Sequence, residues 1–267
     1  MTEMTFERVT GKKQWRRQSF VVIGAPKIGK SELFAVGEGS LFLDIEGGLS
    51  HLEVMKHPKE RPFLDYDELE SYIDQLVAMK QKGTFPEKID TLVWDTATRL
   101  VNLATAKTVE IFRNKLPNKQ FETIEEIPLG GDKGNPGWGV RTNLVDNLLA
   151  KGKQLGICQV IIGHLDFKPV KNDQGIDITR QTISVGGNLG RAFLNNADHV
   201  LNIIGKTGPD GVITRTVRAL GTATIEAGSR GLCVPDNWVL INPTARTPEA
   251  LKIASEANYK KLRSFFE

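Results

Sequence analysis

Five short apolar runs divide the sequence, and each is rich in β-branched or aromatic residues. They are residues 20–25 (FVVIGA), 40–45 (SLFLDI), 90–95 (DTLVWD), 159–164 (QVIIGH) and 199–204 (HVLNII). Polar residues do not alternate with the apolar ones, which is typical of strands that are covered on both faces. We therefore predict five central strands of a mainly parallel sheet.

Stretches with helical periodicity lie between these runs. They are residues 31–36, 69–82, 98–114 and 141–154. An alternation of strands and helices is typical of an α/β fold with helices on both faces of the sheet.

The pattern changes after residue 204. Residues 214–228 and 237–243 alternate or form short runs, which predicts antiparallel edge strands at the C-terminal side. A final helix is predicted in 243–267, with Thr247 as its N-cap and Pro248 in its first turn.

Two polar, glycine-bearing segments fit neither element. Residues 116–139 and 166–190 are longer than the usual connections of compact domains, so we interpret them as functional loops. Surface insertion or local disorder is the alternative.

Composition excludes few classes of protein. Of the 267 residues, 40% are hydrophobic and 25% are charged, as in ordinary soluble proteins. With 35 basic and 32 acidic residues the net charge is only +3, so a nucleic-acid surface has to be a local patch. Cys158 and Cys233 stand in apolar contexts that favour reduced thiols. No run is long enough to span a bilayer and no signal core is present, so we expect a cytoplasmic protein without a membrane partner.

The most informative motif lies between the first strand and the first helix. Gly24, Gly29, Lys30 and Ser31 match G-x-x-x-x-G-K-[ST], the phosphate-binding loop. In such a loop main-chain N–H groups point at phosphate oxygens, the lysine reaches the β- and γ-phosphates, and the serine hydroxyl ligates Mg²⁺. The predicted nucleotide-binding residues are Gly24, Ala25, Pro26, Lys27, Ile28, Gly29, Lys30, Ser31 and Glu32.

Acidic residues at strand ends supply candidates for the metal and for water activation. Asp95 ends the 90–95 run, where it is the candidate for the Mg²⁺ shell with Ser31. Capping of the following helix is the alternative, and both roles could hold. Asp44 and Glu46 stand at the end of the second strand, and we expect only one of them to face the γ-phosphate. The pattern alone leaves that choice open.

Four segments follow one another along the chain in the order GAPKIGKS, FLDIEGG, LVWDTAT and VIIGH. Together they resemble the core ATPase domain of RecA-like recombinases and hexameric helicases. They look most like the small core-only RecA-like ATPases of bacteriophages that are linked to single-strand annealing recombination. The resemblance covers residues 18 to about 240 and implies a RecA-like P-loop fold that binds ATP and Mg²⁺. It divides the chain into a basic arm (1–17), an ATPase core (18–242) and a C-terminal helix (243–267).

The resemblance also implies residue roles. Glu46 becomes the general base, Asp95 the Mg²⁺-side carboxylate and His164 the sensor of the γ-phosphate. Residues 226–236 resemble the late segment in which a basic residue completes a neighbouring subunit's site, which makes Arg230 the candidate. Relatives often carry a lysine two residues earlier, where this chain has Gly228, and an arginine that only forms part of a turn is the alternative.

In RecA-like proteins the loop after the sensor contacts DNA. Here that loop carries Lys168, Lys171 and Arg180, with Phe167 as its one aromatic side chain. The resemblance implies single-stranded DNA and a homo-oligomeric ring or filament as partners, with a single-strand-binding protein as a further candidate. A solvated charged loop is the alternative. For residues 12–18 (KKQWRRQ) a solvated arm is favoured over a phosphate-tracking segment in which Trp15 stacks on a base.

Three other P-loop classes compete with this interpretation. Residues 44–47 read D-x-x-G, as in GTPases, but 114–117 (NKLP) lack the aspartate of the guanine signature. A nucleotide or metabolite kinase needs an arginine-bearing lid, and 116–139 contain no arginine. An ATP-gated adaptor or helicase loader with slow turnover remains open.

Overall fold

A computed structural model describes residues 14–128, 134–171, 174–186, 188–209, 211–245 and 247–266. Its strands are β1 (Ser19–Gly24), β2 (Ser40–Asp44), β3 (Met55–His57), β4 (Thr91–Asp95), β5 (Cys158–Lys171), β6 (Asp177–Ile183), β7 (His199–Thr207), β8 (Ile213–Arg218), β9 (Gly228–Ser229) and β10 (Trp238–Val239). Its helices are α1 (Glu32–Ala35), α2 (Tyr66–Gln81), α3 (Ala97–Lys115), α4 (Pro136–Gln154), α5 (Asn188–Asn195) and α6 (Pro248–Arg263).

The strands form a sheet in the order β10-β8-β7-β1-β5-β4-β2-β3. All pairings from β7 to β3 are parallel, whereas β8 runs antiparallel to β7 and β10 antiparallel to β8. The predicted α/β fold, with a mainly parallel sheet and antiparallel strands at the C-terminal edge, is confirmed. Strand β5 separates β1 from β4, so the strands that carry the phosphate loop and Asp95 are second neighbours.

Helices cover both faces of this sheet, which explains the continuous apolar runs. Val21 and Ile23 of β1 pack in one buried cluster with side chains of α2, α3 and α4. Phe20 and Val22 of the same strand pack in the opposite cluster with side chains of α1 and α6. Because successive side chains of a strand point to opposite faces, a strand with two covered faces must be apolar throughout.

The predicted C-terminal helix is present as α6. Thr247 is its N-cap, with a hydroxyl that accepts a hydrogen bond from the Ala250 N–H at 3.2 Å. Among the described residues, no helix is both long and apolar enough to cross a membrane. Both cysteines are free, and burial raises the pKa of the Cys158 thiol.

The prediction of one long loop over 166–190 is wrong. Strand β5 continues past the sheet to Lys171 and pairs antiparallel with β6, and α5 begins at Asn188. Residues 172, 173 and 187 lie outside the described part of the chain. Residues 177–183 (DITRQTI) alternate between polar and apolar side chains, as a half-exposed hairpin strand requires. This strand has no continuous apolar run, which is why it was not predicted.

Helix α4 begins five residues before its predicted start. Asn135 caps it by accepting a hydrogen bond from the Gly137 N–H at 2.7 Å, and Pro136 occupies the first turn. The asparagine–proline pair is a helix-start signal, which the glycines that follow obscured. The segment before it, 116–128, has no helix or strand, but it packs Phe121, Ile124 and Ile127 on α3.

The end of the basic arm is packed on the core. The Trp15 side chain is buried beside Phe20, Tyr259 and Phe266, and its indole N–H donates to the Thr91 hydroxyl at 2.9 Å. Stacking of Trp15 on a nucleic-acid base is therefore excluded in this fold, and a fully solvated arm is wrong for this residue. Residues 1–13 lie outside the described part of the chain, and the three-part division of the chain stays a prediction.

Candidate nucleotide site

The predicted phosphate loop connects β1 to α1 at the carboxyl edge of the parallel strands. Gly29 has a φ of +95°, which favours glycine over any residue with a side chain. Gly24 is needed for a different reason: a Cβ there would lie 2.9 Å from the carbonyl oxygen of Ile203 on β7. Both glycines of the motif are thus required by the backbone geometry and the packing of the loop.

The Lys30 side chain is buried inside this loop. Its ammonium group donates to the carbonyl oxygens of Gly24 at 2.9 Å and Ala25 at 2.8 Å. Burial lowers the pKa of Lys30, and the nearby Asp95 and Glu46 carboxylates act in the opposite direction. The loop therefore holds a positive charge at its centre, as binding of a triphosphate requires.

Ser31 and Asp95 meet at the start of α1 and the end of β4. The serine hydroxyl donates to the Asp95 carboxylate at 2.6 Å. The alternative role of Asp95 as a helix cap is wrong, because Thr96 caps α3 and accepts from the Arg99 N–H at 3.5 Å.

The oxygen atoms of Ser31 and Asp95 suit a magnesium ion. Mg²⁺ prefers hard oxygen ligands and is usually held by one or two carboxylates together with substrate phosphates. Among the described residues, no cluster of three or more histidine, cysteine or acidic side chains could hold a metal without such help. The residues present therefore fit a metal ion that arrives with a nucleotide.

Asp44 is the last residue of β2 and Glu46 lies beyond the strand, and the two side chains have separate environments. The Asp44 side chain is 1% exposed and accepts from Lys56 and from the Gly47 N–H, both at 2.7 Å. Glu46 is 43% exposed and lies beside Lys30 and Asp95. Asp44 forms a buried ion pair with Lys56. Of the two carboxylates, Glu46 is therefore the one that is accessible at the carboxyl edge of the sheet.

Glu46 contacts residues from two other elements. One carboxylate oxygen accepts from the Thr96 hydroxyl at 2.8 Å, and the same oxygen lies 3.2 Å from Nε2 of His164. The parallel register explains the meeting, since Gly24 pairs with His164 and Asp44 with Asp95. The carboxyl ends of β1, β2, β4 and β5 therefore bring Lys30, Glu46, Asp95 and His164 together.

Arg230 does not join this group. Its side chain is 73% exposed and forms an ion pair with Asp198 at 2.9 Å. Asp198 precedes β7, a strand parallel to β1, so Arg230 lies at the amino edge of the sheet, opposite to the phosphate loop.

The three cations proposed for DNA lie on the β5–β6 hairpin. Lys168 and Arg180 pair across the strands, and each donates to a main-chain carbonyl: Lys168 to Val185 at 3.1 Å and Arg180 to Ala223 at 3.0 Å. Lys171 is exposed at the end of β5. Two of the three cations therefore also stabilise the hairpin.

Two further side chains, Thr96 and Arg215, lie at the site and were not predicted from the sequence. Thr96 could have been found, because a threonine directly before a helix is a common cap. Arg215, which contacts Ile28 and Glu32 from β8, gave no local signal.

A family model described as an AAA domain matches residues 16–231, most of the chain. The chain belongs to this AAA family. It is therefore a P-loop domain of the nucleotide-binding ATPase class, and the fold described above agrees with that assignment. No curated protein matches the sequence. The roles of the individual side chains remain predictions.

The Asp95 carboxyl gives a testable dependence of stability on pH. Burial, followed by the Glu46 and Asp44 charges, raises its pKa from 3.8 to about 6, against the Ser31 hydrogen bond and Lys30. The folded state thus holds this proton more tightly than the unfolded chain. Ionisation of Asp95 therefore lowers the free energy of unfolding as the pH rises from about 4 to about 6, and the free energy does not fall further from this cause above that range.

Between pH 4.5 and 7.5 the free energy of unfolding should fall by about 2 kcal/mol less in Asp95→Asn than in the native chain, both without nucleotide. Urea unfolding at the two pH values measures the difference. Asp67→Asn, at a mostly exposed carboxylate, is the matched control and should follow the native chain. An identical pH dependence in Asp95→Asn and the native chain would contradict the assigned cause.

Proposed function

We propose that this ATPase is RecA-like, hydrolyses ATP, binds single-stranded DNA and assembles with itself in phage DNA recombination or annealing. The supporting observation is the contact between Glu46 and His164. It joins Glu46, the accessible carboxylate beside Lys30 and Asp95, to the residue at which β5 leaves the sheet as a hairpin. One contact thus links the nucleotide site to the proposed DNA-binding element.

The proposed mechanism assigns one task to each side chain. Lys30 leaves the loop carbonyls to contact the β- and γ-phosphates, while Ser31 and Asp95 hold Mg²⁺, which neutralises charge on those phosphates. Glu46 orients a water molecule and accepts its proton as the water oxygen bonds to the γ-phosphorus and the bond to the β–γ bridging oxygen breaks. His164 turns from Glu46 to the γ-phosphate when ATP is present.

The hairpin fits the role of a nucleotide-dependent DNA contact. It extends beyond the last pairing of β5 with β1, which is at His164. One face presents Phe167, Pro169 and Lys171, and the Phe167 ring is 59% exposed. Of the three cations, Lys171 shares this face with the ring, and an exposed aromatic ring can stack on an unpaired base while such a cation contacts a phosphate.

The hairpin is also connected to the site through hydrogen bonds at its base. The His164 carbonyl accepts from the Ser184 N–H at 2.8 Å, and the Thr98 hydroxyl donates to the Ser184 carbonyl at 3.0 Å. Nδ1 of His164 is buried and has no hydrogen-bond partner. We infer that a turn of this ring on γ-phosphate binding shifts the base of the hairpin.

Arg230 supports assembly through its position. Because it lies at the opposite edge of the sheet, it is too far away to act on the phosphate loop of its own chain, but an exposed guanidinium there can enter the site of a neighbouring copy. A head-to-tail arrangement of this kind produces rings or filaments.

The first prediction concerns the catalytic residues. Lys30→Ala should abolish ATP binding, because it removes the charge at the centre of the loop, while Glu46→Gln should bind ATP normally and lose hydrolysis by about 100-fold or more. Nucleotide binding and phosphate release measure the two effects separately. Glu53→Gln changes a carboxylate whose side chain is 95% exposed and should behave as the native chain. Native turnover in Glu46→Gln would refute the proposed role of Glu46.

The second prediction concerns DNA. Single-stranded DNA should raise the ATPase rate, and Phe167→Ala should weaken DNA binding by about tenfold through loss of stacking. Lys171→Ala should weaken DNA binding equally for all sequences, and the slope of log affinity against log salt concentration should become shallower by about one. Lys82→Ala, at the exposed lysine directly after α2, is the control.

Other outcomes of this experiment identify the competing classes. No response to DNA together with phosphoryl transfer to an acceptor would indicate a kinase. No response to DNA together with slow turnover would indicate an ATP-gated adaptor.

The third prediction tests whether Arg230 acts between subunits. Arg230→Ala and Lys30→Ala should each be inactive, and their mixture should regain up to about a quarter of native activity, because some interfaces then combine an intact loop with an intact arginine. Asp198→Asn removes the ion-pair partner but keeps the arginine, so it should stay active. Inactivity of both Arg230→Ala and Asp198→Asn, with no recovery on mixing, would show that the ion pair is structural.

A further inference from the structure

Arg215 of β8 lies against the outer side of the phosphate loop. Its side chain is 12% exposed, and Nη1 lies 3.4 Å from both the Ile28 carbonyl oxygen and the Glu32 carboxylate. A Cβ at position 29 would overlap with the same nitrogen. The guanidinium group thus fills the space directly beside the second glycine of the motif.

The C-terminal segment holds this guanidinium from its other side. Nε donates to the Asn242 side-chain oxygen at 2.9 Å, and Nη2 donates to the Ile241 carbonyl at 3.1 Å. The Asn242 amide in turn donates to the Ile213 carbonyl at 2.7 Å. The fork of an arginine is thereby fixed between the loop and the chain that follows β10.

Two physical effects follow from this placement. A loop that turns its N–H groups inward toward phosphates turns carbonyl groups outward, and Arg215 is a donor for the outward carbonyl of Ile28. Glu32 places a negative charge beside the site of an anionic ligand, and Arg215 neutralises it. Both effects favour a bound nucleotide without contact between Arg215 and the nucleotide.

We infer that Arg215 is a positioning residue for nucleotide binding: it fixes the outward side of the phosphate loop and neutralises Glu32. This inference rests on the proposed binding of ATP at the loop. It makes the antiparallel edge of the sheet part of the nucleotide site, since the arginine comes from β8 and its orienting partners from 241–242.

The test is a titration of each variant with fluorescent ATP and ADP analogues. Arg215→Ala should raise the Kd for both nucleotides by about tenfold, the effect of losing a charged hydrogen bond, while kcat at saturating ATP stays within about twofold. Equal losses for ATP and ADP are expected because the loop and Glu32 act on both ligands. A purely structural role would lower the melting temperature and leave both Kd values unchanged.

Arg218→Ala is the matched control. Arg218 lies on the same strand, its side chain is 22% exposed, and it pairs with Asp236 rather than with the loop. Its loss should lower stability but not nucleotide affinity.

Two further variants keep the test decisive. Arg215→Lys retains the charge and the aliphatic stem, so it should fold even where alanine does not. A single ammonium cannot bridge the four partners, so affinity should still fall by about fivefold. The double variant Glu32→Gln, Arg215→Ala should have a Kd about threefold lower than Arg215→Ala, because the unpaired negative charge is removed.

The outcomes separate the proposals. Native Kd values in both Arg215 variants would overturn the inference, and a loss confined to ATP would replace it with direct contact to the γ-phosphate. Failure of Glu32→Gln to restore affinity would remove the neutralising role. If the native chain and Arg218→Ala themselves bound no nucleotide, the proposed function would fail, and this inference with it.

Discussion

The site depends on the parallel register of four neighbouring strands. In a parallel sheet all carboxyl ends reach the same edge, and here Gly24 is level with His164 and Asp44 with Asp95. Residues far apart in the chain therefore meet without a long loop between them. A shift of β4 or β5 by one residue would turn Asp95 or His164 to the other face, because side chains alternate along a strand.

The charges at this edge are arranged for a ligand. Lys30 and Asp95 are both buried, and burial disfavours the charged form of each, as the directions of their pKa values show. Each group contacts a polar neighbour that a nucleotide and its metal would replace: loop carbonyls for Lys30 and the Ser31 hydroxyl for Asp95. Under the proposed function, binding of a nucleotide with its metal would relieve this unfavourable state. Asp44 instead forms an ion pair with Lys56, in keeping with a structural role.

Two connections extend the site into the rest of the fold. On one side Glu46 and His164 lead into the β5–β6 hairpin, which leaves the sheet at that point. On the other side Arg215 ties the phosphate loop to β8 and to the segment before α6. A change at the loop can therefore reach both the proposed DNA contact and the C-terminal edge of the sheet through short chains of hydrogen bonds.

The sequence by itself determined the features that depend on local patterns. The phosphate loop was visible because its glycines and lysine act within eight consecutive residues, and the central strands were visible because burial on both faces demands unbroken apolar runs. The cap at Thr247 was found for the same reason. The tertiary structure decided what depends on distant partners: Asp44 rather than Glu46 became the buried carboxylate because Lys56 lies next to it. Trp15 is buried because Tyr259 and Phe266 pack against it, and Arg215 reached the loop through strand pairing. Such partners are separated along the chain by up to about 250 residues, and only the folded backbone brings them into contact.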